Sequence, residues 1–197
     1  MPRLSELPWL LLIWTARRRI VEGVRVCVSH SADDGDDVFG KVAEALRLIA
    51  RYAPRLSARM RRDVKRLLFA DVSGGRYLAG LRTSMIGVDY ARRAPPLELA
   101  MMFVHEATHA RLARAGFPYL GECRERIERI CIAAEIAFAE HVPGSETAID
   151  NALALQETEW WTPERSADDA IDELRQRGVP KWITTILRWV RIRSRIG

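Results

Sequence analysis

Residues 103–112 read FVHEATHARL. His105 and His109 stand four apart, and Glu106 follows the first of them. Positions i and i+4 lie one turn apart on the same helix face, so the two imidazoles can point at one place in space. Glu106 sits beside that face, within reach of a water there. The reading requires a helix, and the flanks supply one. Pro95 and Pro96 suit a first helical turn. Glu98 places a negative charge where the helix dipole favours it. Gly116 is a good residue just past the end, with Pro118 beyond it. A helix over about 96–115 follows. An amphipathic helix could also carry two histidines without any metal, using Met101, Met102, Val104 and Leu112 as a core face.

The surrounding chain decides between the two. A catalytic zinc takes three protein ligands and one water, with imidazole nitrogens at about 2.0–2.1 Å. If the next helix, about 121–141, folds back antiparallel, residues equidistant from the turn pair at about 1.5 Å rise each. Residue 109 then faces Glu128, the best candidate for third ligand. Glu125 and Glu135 are the alternatives. Interleaved with Arg124, Arg126 and Arg129, such glutamates could equally form a solvated face. Cys131, three residues after Glu128, could approach the same point, although a small buried hydrophobe is its ordinary role.

His105-Glu106-x-x-His109 with Glu128 nineteen residues later resembles the zincin metallopeptidases, and within them the gluzincin group. The resemblance spans roughly residues 76–140. It implies a peptidase in which His105, His109 and Glu128 hold Zn2+ and Glu106 is the catalytic general acid–base. It also implies an edge strand before the helix that pairs with an extended peptide substrate. SMIGVDY, 84–90, is the expected strand. Arg111 departs from the apolar residue usual two positions after the second histidine. The run FAEHVPG is similar to the ImmA-type regulatory peptidases, in which the third ligand falls nearer Glu135. Tyr90 and Tyr119 are the nearest groups that could stabilise an oxyanion, against the plainer role of packing tyrosines.

The 197 residues with 48% hydrophobic content suit one domain over 1–197. Elements further from the motif read as a helix over 5–22, a strand at VRVCVS (24–29) and a helix over 36–51. A helix follows from Pro54 to about 70, then a hairpin of RYLAGL and SMIGVDY. Helices near 145–160, 164–177 and 180–194 are expected to pack on the motif region. The fold class is therefore α+β, mainly helical, with a small sheet preceding the HExxH helix.

Lysine occurs three times among 31 basic residues, a coding bias that discounts the arginine excess as a recognition signal. A net charge of +5 is modest, and nucleic-acid binding is not expected. Cys27, Cys123 and Cys131 form no CxxC pair, which points to a reducing cytoplasm. The apolar run Pro8–Trp14 is too short to span a bilayer, and Arg17, Arg18 and Arg19 follow it where a signal peptide would have them first. His30 lies in a polar loop. His141 is a surface or helix-capping histidine. Asp33, Asp34, Asp36 and Asp37 lack the spacing of a calcium loop.

Two other functions compete. The segment KWITTILRWVRIRSRIG, 181–197, combines an apolar arc with arginines. It could serve a non-catalytic adaptor that binds a membrane surface or nucleic acid, though docking on the domain is the commoner fate. A structural or regulatory zinc, closed by Cys131 as a fourth ligand, is the other.

Overall fold

The computed structural model describes residues 7–29, 35–72, 74–119 and 123–157. All fall within one compact unit, Met1–Glu157. The expected helices over 164–177 and 180–194 lie outside the described residues. The fold is α+β and mainly helical, with one five-stranded sheet.

Strands form where short apolar blocks lie between turn residues, or where a tight turn folds the chain back on such a block. β1 (Arg17–Val21) and β2 (Val24–Val28) make an antiparallel hairpin in which Val21 faces Val24. The turn is Glu22-Gly23, both at positive φ (47° and 77°), the conformation that matches strand twist in a two-residue hairpin. The expected helix over 5–22 is thus corrected. α1 (Leu7–Thr15) ends early, because the turn pulls Arg17–Val21 into the sheet.

A second correction concerns residues 54–70. α2 (Gly35–Tyr52) is followed by α3 (Pro54–Asp63), which stops at an extended Val64, and Arg66–Ala70 is β3. β3 pairs parallel with β2 on one side and with β5 (Thr83–Gly87) on the other. Buried on both faces, its RLLFA carries no alternation to separate it from a helix.

β4 (Gly75–Leu78) reaches β5 through a short 3-10 turn, Ala79–Leu81, and pairs antiparallel with it. The strand order is β1-β2-β3-β5-β4. SMIGVDY is therefore not the edge strand. Its first part is β5, bonded on both sides, and Val88–Arg93 is a short helix, α4. The edge beside the HExxH helix is β4.

That helix, α5 (Pro96–Arg114), begins at its proline and ends before Gly116 at φ 85°. α6 (Cys123–Ala139) and α7 (Glu146–Glu157) follow. α5 lies at the centre. It packs against α2, α3, α6 and β4, and buries residues around its whole circumference. One sheet face contributes Val26, Val28, Leu67, Phe69 and Ile86 to a core shared with α2 and α5. Phe69 and Phe103 meet edge to face there, with ring centres 6.3 Å apart. The other face packs Cys27, Leu68 and Met85 under Ile13 of α1 and Ala16 just after it. No helix among the described residues is long and apolar enough to cross a membrane.

Asp63 ties three elements together at the end of α3. Its buried carboxylate accepts two hydrogen bonds from Arg62 (2.9 and 3.2 Å) and another from Arg114 at the end of α5. Arg82, before β5, donates to the Asp63 carbonyl at 3.3 Å. The Arg62 hydrogen bonds hold the Asp63 carboxyl below the usual range, against the opposing effect of burial. A depressed folded pKa stabilises the fold above the unfolded pKa of about 3.9, and that contribution is lost as pH falls through the folded value. Asp63→Asn should therefore cost about 1–3 kcal/mol at neutral pH, and the deficit should shrink below about pH 4, as read by denaturant unfolding.

Candidate metal centre

α5 and α6 lie side by side and bring their polar residues to one buried place. His105 Nε2 and His109 Nε2 are 3.0 Å apart. Glu128 Oε2 lies 3.2 Å from the first and 3.6 Å from the second. Donors about 2.0–2.1 Å from a tetrahedral zinc stand roughly 3.3–3.4 Å from one another. The three atoms thus have the spacing of one face of such a tetrahedron.

Their chemistry fits a cation as well as their spacing does. Glu128 is 0% exposed and Glu106 2%, yet Glu128 Oε2 and Glu106 Oε2 have no hydrogen-bond partner among the described residues. A buried anionic oxygen without a partner is costly, and metal coordination is one of the few remedies. Glu135 adds a third carboxylate, on the far side of His105.

The glutamates of α6 differ in what they touch. Glu128 faces both imidazoles. Glu135, two turns later, accepts a hydrogen bond from His105 Nδ1, so Nε2 is the nitrogen that faces Glu128 and His109. Glu125 is exposed and pairs with Arg129 at 2.9 Å, so it belongs to the solvated face. The spacing argument left these three open, because it fixes height along α6 but not the ring nitrogen each would meet.

Cys131 stands beneath this group. His105, His109 and Cys131 have ligand atoms all within 4.8 Å of one another and could together hold a metal ion. Burial raises the Cys131 thiol, and Glu128 adds to it, so the protonated form is favoured. Burial opposes ionisation of Glu128, but the His105 and His109 imidazoles beside it prevail and hold its pKa well below the usual range. Burial likewise opposes charge on His105, and Glu128 and Glu135 overcome this, lifting its pKa to about 10.

Tyr119 covers the group from the loop after α5. Its hydroxyl donates to Glu128 Oε1, and its ring stands edge-on to His109 at 5.2 Å. Arg124 donates to the same hydroxyl at 3.1 Å. The tyrosine thus fixes one carboxylate oxygen of Glu128 and leaves the other facing the imidazoles, a role that sequence spacing could not show. Tyr90 is half-buried instead, its hydroxyl 3.4 Å from the Glu98 carbonyl. His141 donates from Nδ1 to the Ala137 carbonyl at 2.7 Å, as a helix-capping histidine does. His30 lies outside the described residues.

Glu106 points toward β4. A Cβ built on Gly75 would stand 2.8 Å from Glu106 Oε1 and 2.9 Å from Met102 Sδ. The edge strand therefore runs against the carboxylate, at a position where any added Cβ must push it aside. Burial raises the Glu106 carboxyl, more than the nearby histidines lower it. Such a group is a stronger base than a solvated glutamate.

The chain matches no family model, no curated protein and no solved structure.

Gly75→Ala should leave the fold and any bound metal in place, because the atoms it meets are the flexible ends of two side chains. It should nevertheless displace the Glu106 carboxylate. Thermal melting and metal content should stay near wild type, while any hydrolytic rate falls by about tenfold or more.

Proposed function

We propose that the chain is a zinc-dependent peptidase of the zincin type, with Glu106 as its general base. The observation that supports this reading is the triangle of His105 Nε2, His109 Nε2 and Glu128 Oε2, with the buried, unpartnered Glu106 carboxylate beside it. His105, His109 and Glu128 would hold the metal. When bound, zinc polarises a carbonyl and lowers the pKa of water.

The protein's own groups do the rest. Glu106 takes the proton of the attacking water and hands it to the leaving amine. Glu135 keeps His105 in the tautomer that presents Nε2, and Tyr119 holds Glu128 Oε1. β4 pairs with β5 on one side. Its other side offers backbone donors and acceptors to an extended peptide next to Glu106.

A second reading, a structural or regulatory zinc, rests on Cys131 lying near the two histidines. Glu128 Oε2, 3.2 and 3.6 Å from the two imidazole nitrogens, supports the carboxylate instead. The adaptor alternative rests on residues 181–197, which lie outside the described residues.

Protein purified without chelators should carry about one zinc per chain by elemental analysis. His105→Ala should lose it. Glu106→Gln should keep it and lose hydrolysis of an unstructured protein substrate by about a hundredfold or more. Wild-type protein that neither contains zinc nor takes it up on titration overturns the proposal. In the cobalt-substituted protein, thiolate charge-transfer absorption would favour the Cys131 reading, and its absence the carboxylate.

Glu135→Gln tests the orienting role apart from turnover. It should weaken zinc affinity by about 10–100-fold in a chelator competition while leaving the unfolding transition of the metal-free protein nearly unchanged.

A further inference from the structure

The arginines of β1 alternate between two environments. Arg17 and Arg19 lie on the α2 side, where Asp36 accepts from both at 3.0 and 2.9 Å, and Arg19 lies over the Phe39 ring at 4.7 Å. Arg18 and Ile20 lie on the opposite face. The same alternation puts Arg25 of β2 there, and the β2–β3 register sets Arg66 beside it.

Among the described residues, Arg18, Arg25 and Arg66 show no ion pair with a carboxylate, and the Nε of Arg66 is buried without a hydrogen-bond partner. Burial weakens the hold of Arg66 on its proton, and the neighbouring charges of Arg25 and Arg18 weaken it further. Like charges gathered at one place call for an anion from outside.

α1 covers only part of this face. Its sequence, LPWLLLIWT, has no charged residue, and only one side of it packs on the sheet. On its outer side Trp14 is 76% exposed and Leu11 67%, and Ile20 on the neighbouring strand is 68% exposed. Arg18 donates to the Trp14 carbonyl at 2.9 Å, which holds the guanidinium at the end of α1 near the exposed indole. Large exposed apolar side chains bordered by unpaired cations have the composition of a surface that lies in a bilayer interface. Tryptophan favours that depth.

We propose that this face docks on an anionic membrane. Leu11, Trp14 and Ile20 enter the boundary between headgroups and acyl chains, and Arg18, Arg25 and Arg66 meet lipid phosphates. Among the described residues the surface lies on the sheet face opposite α5, away from the metal centre, so it stands whatever the chemistry of that centre.

The test is co-sedimentation of the full chain with vesicles of phosphatidylcholine alone or mixed with phosphatidylglycerol. Wild-type protein should pellet with the mixed vesicles at least about tenfold better than with neutral ones, and high salt should release it. Leu11→Ser with Trp14→Ser should reduce binding about tenfold or more. So should Arg18→Glu with Arg25→Glu, whereas Arg18→Lys with Arg25→Lys should retain it. All these side chains except Trp14 and Leu11 are on an exposed strand surface, and those two are themselves exposed, so melting temperatures should stay near wild type. Wild-type protein that stays in the supernatant overturns the proposal. So do variants that bind as well as wild type, which would place membrane affinity elsewhere in the chain. Duplex DNA that binds more tightly than the vesicles at equal salt, and is lost in the same variants, would assign the surface to nucleic acid.

Discussion

Glu106, Glu128 and Glu135 crowd around His105 and His109 in a volume from which water is nearly excluded. Carboxylates so placed repel one another and lack solvent to screen them, so the arrangement needs positive charge close by. Neutral imidazoles cannot supply it. Protonated ones supply part, which is why His105 is pushed so far from its ordinary pKa. A divalent cation supplies two positive charges at a single point without protonating either ring, and the oxygen and nitrogen atoms stand near the separations that such an ion requires. Much of the rest of the fold serves to hold these side chains at that point.

α5 is well suited to that task because it is packed on every side. A helix with one solvated face can roll or fray, and a buried central helix cannot without opening the core. The apolar residues on the sheet side, Phe103 and Ala107 among them, fix its rotation, which in turn fixes where His105, Glu106 and His109 point. α6 completes the centre from one direction only. Glu128 and Glu135 are two turns apart on one face, so a single rotation of α6 sets both the proposed third ligand and the group that orients His105.

The helix bearing the motif was legible because its boundaries carry chemistry: prolines at the start, glycine after the end, and histidines at a spacing with one structural meaning. The α+β class was legible for the same reason, since helix signals dominate and the glycine-rich stretch near 75–87 interrupts them. Strands β1 and β3 were not legible. RRRIV has no apolar alternation of its own and becomes a strand through the Glu22-Gly23 turn and its partner β2. RLLFA is apolar throughout, and a short block of that kind fits a buried strand and a buried helix equally. The edge was misassigned because strand order depends on long-range pairing, and β4 lies outside β5 although it precedes it in sequence. Among the glutamates, hairpin arithmetic put Glu128 opposite His109, where the structure has it. It could not divide the roles of Glu128 and Glu135, because that division depends on which nitrogen of one ring each carboxylate reaches.

Gly75 has a mechanical meaning beyond its size. With no side chain between them, the backbone of the sheet's outermost strand and the carboxylate of Glu106 share a single contact surface. That strand is four residues long and bonded along one side, so it is the most easily displaced piece of the sheet. Whatever grips it from outside also resets the space around the Glu106 carboxylate. Recognition and chemistry would then be joined through a few ångströms of main chain, without any relay through the protein interior.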